Sequence, residues 1–289
     1  MGEVARLKSY FYLPAVLASA LLVVLAIVNI LAAGHDRYAW WGVLLANVVL
    51  PAWFLWLQRA TTPRTSEYLP FLLLASGAGP VIAAWEVFFE GAAGWPVMVP
   101  AVTGTALLAA YIFWYSRMGR QPSETLEVGK KLPAFELPTA DGAIFRSAEL
   151  AGSPAVLVFY RGNWCPFCRA QVREMASRYP EFEKLGAALV LVSPQPATRS
   201  QALAAESGQL AHVLVDESNR LAEKFGIAMQ HGVPVGLPGA YAADTVMPTV
   251  IALNANGTIV YADQTDNYRM RPEPDVFLSI LRRSGALVQ

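Results

Sequence analysis

Four long apolar runs, at residues 10–33, 40–57, 69–89 and 97–115, constrain this chain more than any other feature. A helix needs about 20 apolar residues to cross the hydrocarbon core of a bilayer, and each run lies in or near that range. Four such runs in succession do not suit the core helices of a water-soluble fold. Seven of the eight tryptophans lie in the same part of the chain, and Trp40, Trp41, Trp56, Trp95 and Trp114 lie at or near the run ends. Indole rings prefer that interfacial level. The first run is far longer than the apolar stretch of a cleavable signal peptide. The expectation is an all-α, four-helix transmembrane domain over residues 1–122, with the lipid bilayer as its partner.

Charge supplies the orientation. Residues 1–122 carry seven Lys/Arg and five Asp/Glu, while residues 123–289 carry fifteen and seventeen, spread as on an ordinary soluble domain. Neither part has the clustered basic face that nucleic-acid binding needs, so nucleic acid is not an expected partner. Arg6, Lys8, Arg59, Arg64, Arg117, Arg120, Lys130 and Lys131 fall on one side of the predicted spans, and Arg37 alone on the other. The positive-inside bias then places both termini and the second domain in the cytoplasm, where a lasting structural disulfide is not expected. Glu86 and Glu90 lie four apart near the far end of the third run and read as interfacial groups in reach of water. Residues 1–122 contain no cysteine and one histidine, His35, so the helices are expected to anchor rather than to relay electrons.

Residues 116–131, "SRMGRQPSETLEVGKK", read as a polar linker into a domain over 123–289. "PAFEL" and "AIFRS" flank Asp141-Gly142, a hairpin signal. "AVLVFY" (155–160) is a continuous apolar run of central-strand length, and "AALVLVS" (187–193) is a second. One helix is predicted over 168–185, another over roughly 197–207, a strand over 212–216 and a helix over 217–227. An irregular Gly/Pro-rich stretch covers 226–240, and "MPTVIAL" and "TIVYAD" flank a tight turn at Asn256-Gly257. A helix over roughly 273–284 closes the chain. This alternation predicts a mainly parallel sheet covered on both faces, with an antiparallel hairpin at one edge.

Both cysteines lie in one motif, "FYRGNWCPFCRAQ", residues 159–171. A strand ending just before Cys165 and a helix starting at or just after it put that thiol at a helix N-terminus. The unsatisfied N–H groups and positive dipole end there stabilise a thiolate. Arg161 adds positive charge, and Pro166 suits the first helical turn, where its missing N–H costs nothing. Cys168 lies one turn deeper, so Cys165 is the expected attacking thiol and Cys168 the resolving one. A zinc site completed by His212 and His231 is the competing use of the pair. Structural zinc sites usually combine two such cysteine pairs, so no metal is expected and redox chemistry is the better reading. No cofactor is expected either. Pro248, at the start of an apolar strand in "VMPTV", is accommodated if its peptide bond is cis.

Trp164-Cys165-x-x-Cys168 together with Met247-Pro248-Thr249 resembles the thioredoxin fold, which implies a cis proline packed against the active-site disulfide and presenting backbone to substrate. Over about residues 127–285 the similarity is closer to the alkyl hydroperoxide reductase C/thiol-specific antioxidant (redoxin) family, peroxiredoxin-like group. It is carried by "VGKKLPAFELPTADGAIFRSAELAGSPAVLVFYRGNWCPFC", "LVSPQP", "LVDESNRLAEKFGI" and "NANGTIVYADQTDNYRMRPEP". The resemblance implies an α/β thioredoxin-like domain with a peroxide- or disulfide-reducing centre at Cys165. It also implies a redox-active disulfide and a cytoplasmic dithiol reductant of thioredoxin or glutathione type. Where that family carries Thr and Pro, three and seven residues before the attacking Cys, this chain has Gly162 and Val158.

The expected activity is that of a membrane-anchored antioxidant oxidoreductase reducing peroxides or disulfides through Cys165 and Cys168, with Arg161, Trp164, Pro166, Pro248 and Thr249 in support. Two alternatives stay open at this point. One is thioredoxin- or glutaredoxin-like thiol–disulfide exchange; the other is a docking module that senses redox state.

Overall fold

The computed structural model describes residues 2–32, 34–206, 212–237 and 241–286. It divides into two compact units, one of Met1–Ser9, Thr61–Arg64 and Met118–Gln289, the other of Tyr10–Ala60 and Thr65–Arg117.

The second of these units is helical. Its elements are α1 (Gly2–Leu31, whose first turns belong to the other unit), α2 (Arg37–Arg59), α3 (Pro70–Phe88) and α4 (Met98–Ala110). A 3₁₀ turn, Trp95–Val97, precedes α4, and a wider π turn, Tyr111–Tyr115, extends it. All four helical spans are long and apolar enough to cross a membrane by length and composition. Small residues let α2, α3 and α4 approach closely. A Cβ on Gly42 would meet the carbonyl oxygen of Gly79, one on Gly79 would meet that of Gly42, and one on Gly104 would strike Asn47. Polar side chains bridge the same contacts: Ser76 Oγ donates to the Ala46 carbonyl at 2.9 Å, and Asn47 Nδ2 to the Pro100 carbonyl at 3.0 Å. Close approach and interhelical hydrogen bonds are what hold helices together where apolar burial offers no drive. The large apolar side chains Leu21, Phe71, Leu74, Val81 and Phe88 stand on the outside.

The other unit is α/β. Its strands are β1 (Glu136–Pro138), β2 (Ile144–Arg146), β3 (Ala155–Phe159), β4 (Ala188–Ser193), β5 (His212–Val215), β6 (Ala228–Met229), β7 (Thr245–Val246), β8 (Thr249–Leu253) and β9 (Ile259–Asp263). Its helices are α5 (Pro166–Ser177), α6 (Tyr179–Lys184), α7 (Ala197–Glu206), α8 (Arg220–Lys224) and α9 (Pro274–Ala286). The main sheet has the order β5-β4-β3-β8-β9. Strands β3, β4 and β5 run parallel, and β8 and β9 complete it antiparallel. Central β3 is buried along its whole length because both faces are covered. Leu157, Phe159, Val190, Val192 and Ile251 pack with Phe135 and Phe225 in one core. Val156, Val158, Leu189 and Leu191, equally buried, alternate with them on the other face. Helices α6 and α9 contribute Phe182 and Phe277, whose rings lie 6.2 Å apart. The β1–β2 hairpin turns at the expected Asp141-Gly142.

Four expectations need correction. The helix expected over 168–185 is two helices, because Pro180 falls in the first turn of α6, where its missing N–H is harmless; a longer helix would need that donor. The helix expected over 217–227 shrinks to Arg220–Lys224: the Asp216 carboxylate takes the N–H groups of Leu221 and Ala222, and Gly226, at φ +67°, ends the run. The stretch read as a polar linker is part of the α/β unit from Met118 onward, with Leu126 fully buried in the core and Arg120 and Ser123 also buried. Finally, the described residues contain no cis peptide bond, so Met247–Pro248 is trans. Proline is tolerated there because the ladder of β8 with β3 starts at Thr249, one residue later, and no N–H is required of Pro248. Residue 207 of the helix expected over 197–207, and residues 238–240 of the irregular stretch, lie outside the described residues.

Candidate active site

The site grows out of the C-terminal end of β3. Tyr160 continues the strand direction, its N–H donating to the Val192 carbonyl at 3.0 Å. The chain then turns through Gly162, at φ +140°, and Cys165 N–H closes the turn onto the Gly162 carbonyl at 3.2 Å. A side chain at Gly162 would meet the Trp164 indole at 2.9 Å, so the turn and the tryptophan require glycine there. Cys165 is the N-cap residue of α5, with extended backbone, and Pro166 starts the helix as expected. The thiol therefore stands at the positive end of the helix dipole.

Both cysteines are reduced and buried, Cys165 1 % exposed and Cys168 0 %. The Cys168 thiol hydrogen-bonds to Cys165, which with the positive charges of Arg161 and Arg271 holds the Cys165 thiol down at about 6, against the opposing effect of burial. Burial pushes Cys168 well above the usual thiol range, and the neighbouring Cys165 pushes it further, while Arg271 opposes both. In the pair, then, Cys165 carries the negative charge and Cys168 keeps the proton.

Two buried arginines flank the sulfurs. The Arg161 guanidinium donates to the Gly232 carbonyl and lies over the rings of Trp164 (4.6 Å) and Tyr268 (5.2 Å). Tyr268 in turn meets Phe167 of α5 edge-on at 5.8 Å. Arg271 donates to Cys168 Sγ at 3.7 Å. Its backbone carbonyl accepts Arg64 Nε at 3.2 Å, and the same Arg64 pairs with the Glu174 carboxylate of α5. Gln195, from the "LVSPQP" stretch, steadies the turn by accepting the Asn163 N–H at 2.9 Å and donating to the Tyr160 hydroxyl at 3.1 Å.

Of the residues picked from the sequence, Arg161, Trp164, Cys165, Pro166 and Cys168 assemble in one place. Pro248 and Thr249 do not join the sulfurs through any described hydrogen bond. Their polar groups serve Arg120: the Pro248 carbonyl accepts Arg120 Nη1 at 2.9 Å and the Thr249 hydroxyl accepts Nη2 at 2.8 Å. The Met247 N–H is likewise taken, by the Ile227 carbonyl at 2.7 Å, so this segment has no free backbone to offer a substrate in the way a thioredoxin cis proline implies. Sequence reasoning missed Arg64, Arg120 and Arg271. Arg271 stood in the quoted "NYRMRPEP", but its partner lies 103 residues away in sequence, beyond any local pattern. His212, whose ring lies tilted against Phe145 at 4.8 Å, and His231, in a turn at φ +50°, are not brought to the cysteines. Among the described residues no group of three or more His, Cys, Asp or Glu side chains could hold a metal ion.

A Cys-x-x-Cys at the N-terminus of the helix that follows the central strand of such a sheet defines a thioredoxin-like thiol oxidoreductase. Within that class the chain belongs to the AhpC/TSA family, whose model matches residues 128–262. It is 30% identical over 112 residues to a putative peroxiredoxin bcp of Helicobacter pylori, covering 38% of this chain and 74% of that protein. With peroxiredoxin Bcp of Bacillus subtilis the identity is 27% over 103 residues, 36% of this chain and 66% of the relative. A crystal structure of peroxidoxin BcpB from Mycobacterium tuberculosis superposes with a TM-score of 0.46 at 22% identity, covering 55% of this chain and 97% of that one.

Proposed function

We propose that this protein is a membrane-anchored, peroxiredoxin-like thiol peroxidase whose attacking sulfur is Cys165 and whose resolving sulfur is Cys168. The observation that carries the peroxidase reading over disulfide exchange is the burial of both cysteines, 1 % and 0 % exposed. A small hydroperoxide needs less room to reach a buried thiolate than a protein disulfide does, and only the later reduction by an external dithiol calls for the sulfurs to become accessible.

The Cys165 thiolate attacks the distal oxygen of R–O–OH. The S–O bond forms, the O–O bond breaks, and the alkoxide leaves as R–OH after taking a proton. Cys165 is then a sulfenic acid. Attack by Cys168 forms the disulfide and releases water, and an external dithiol, thioredoxin- or glutathione-type, returns both thiols. The test is a single turnover of the reduced full chain with one equivalent of hydrogen peroxide, and separately with a low-molecular-weight disulfide. Loss of two thiols per peroxide, faster than with the disulfide, supports the peroxidase; the reverse order of rates would favour exchange.

The membrane part of the proposal rests on the four apolar spans and on their outward-facing large side chains. Loop charge supports a cytoplasmic location for both termini and the thiol pair, an arrangement in which the helices hold the site near peroxides formed in the lipid. In oriented vesicles, a membrane-impermeant thiol reagent should reach the unfolded Cys165 from the cytoplasmic side alone. Labelling from the opposite side would overturn this topology.

A further inference from the structure

A peroxidase of this kind has two chemical steps with opposite demands on the cysteines. In the first, Cys165 needs its charge and Cys168 is its proton-bearing neighbour. In the second, Cys165 is a neutral sulfenic acid, and Cys168 itself must become the nucleophile. A thiol that burial holds protonated is poorly suited to this, because the thiolate is the reactive form. Some feature of the site has to draw the proton from Cys168 once the first step is over.

Among the described residues, the Cys165 thiol, the Arg161 main-chain N–H and the Arg271 guanidinium act on the Cys168 sulfur, and the Tyr160 phenol is electrostatically coupled to it. Arg271 alone among them brings a full positive charge into contact with the sulfur, its Nη2 donating to Cys168 Sγ at 3.7 Å. The guanidinium is itself buried, forms no ion pair among the described residues, and has its Nε without a partner. A cation taken out of water without a counter-charge is costly, and a thiolate at Cys168 supplies that counter-charge.

We infer, building on the peroxidase reading, that Arg271 is a catalytic residue of the second step, stabilising the Cys168 thiolate that attacks the Cys165 sulfenic acid. The S–S bond forms and the S–O bond of the sulfenic acid breaks. The departing hydroxide takes the proton that Cys168 has given up, and the product is water. Arg64 is the positioning residue. It donates to the carbonyls of both Arg271 (3.2 Å) and Pro272 (3.3 Å) and pairs with Glu174 on the helix that carries the cysteines. It thereby fixes the arginine against the sulfur.

The size of the effect follows from two opposing trends. An opposite charge within about 4–6 Å shifts a pKa by about 1–3 units. Each unit lost costs tenfold in thiolate, and the more basic thiolate returns about threefold through its greater nucleophilicity. Removing Arg271 should thus slow disulfide formation by about 3- to 30-fold.

The experiment uses the full chain, purified in detergent and reduced, mixed with one equivalent of hydrogen peroxide. Sulfenic acid is trapped with dimedone over time, and disulfide is counted by mass spectrometry. In Arg271→Gln, dimedone-reactive Cys165 should accumulate, disulfide formation should slow by the stated factor, and its pH midpoint should rise. Arg271→Lys should recover part of the loss. Arg64→Gln should slow the same step less and move the midpoint in the same direction. Disulfide formation in Arg271→Gln as fast as in the wild type, or with an unmoved midpoint, would overturn the assignment. If Arg271→Gln does not fold, an unmoved midpoint in both Arg271→Lys and Arg64→Gln does so instead. A wild-type protein that yields neither sulfenic acid nor disulfide with peroxide would overturn the peroxidase reading, and this step with it.

Discussion

In the α/β unit the large rings of Phe135, Phe159, Phe225 and Phe277 are buried in the core; in the helical unit Phe71 and Phe88 stand outside, and Gly42, Ala46, Ser76 and Gly79 fill the contacts between helices. The first arrangement draws on water: apolar area withdrawn from it stabilises at about 25 cal/mol per Å². The second also buries rings, Tyr111 fully and Trp53 nearly so, but leaves Phe71, Phe88 and other large apolar side chains outside. It relies on close backbone approach and on hydrogen bonds such as Thr105 Oγ1 to the Ser76 carbonyl at 2.9 Å. Phenylalanine at these positions therefore has opposite structural meaning in the two units.

The largest separation between the units is chemical. Cys165→Ser should abolish peroxide consumption in single-turnover assays, while Cys168→Ser should still take one equivalent and stop at the sulfenic acid; loss of the first step in Cys168→Ser with its retention in Cys165→Ser would reverse the roles. Next comes the core. Phe225, fully buried, meets Phe159 at 5.9 Å and Phe135 at 6.1 Å, so Phe225→Ala should cost about 3–5 kcal/mol. Protection of the two cysteines against alkylation in a denaturant titration measures it without reference to the helices.

Gly79→Val probes the opposite rule. Enlarging a residue that touches the Gly42 carbonyl should destabilise the helical unit by about 1–3 kcal/mol, seen in the fluorescence of its tryptophans, with peroxide kinetics unchanged. Acidity comes next. The Cys165 pKa lies below that of an ordinary thiol, at about 6, so its thiolate persists above that pH and is lost below it. The first-step rate should be level near pH 8, halve near the folded value, and fall by about tenfold per further unit. A profile still rising steeply above pH 7 would count against the thiolate assignment. Smallest of all is Phe71→Ala: on an exposed helix face it should change stability by less than about 0.5 kcal/mol in micelles. A loss as large as that from Phe225→Ala would break the contrast between the units.

Strands β3, β4, β5, β8 and β9 were legible because each is a short apolar run bounded by turn residues, a pattern local to the chain. The two cysteines and Arg161 were legible for the same reason. What escaped was decided by tertiary partners. Arg120 sits in a stretch whose composition is that of a linker, yet its guanidinium spans the Pro248 carbonyl and the Thr249 hydroxyl from 128 and 129 positions away. Proline at 248 suggested a cis bond only while its place in the ladder was unknown; one residue of offset from the first β3 pairing removes the need. The break at Pro180 was readable in principle, and the helical periodicity around it hid the stop.

Gly162 constrains how this site can change by mutation. The positive φ and the indole above it exclude a threonine at that position, and the same indole lies on Arg161. A hydroxyl-bearing residue can take this place only if the turn and the indole shift with it, and shifting the indole would disturb its contact with the Arg161 guanidinium.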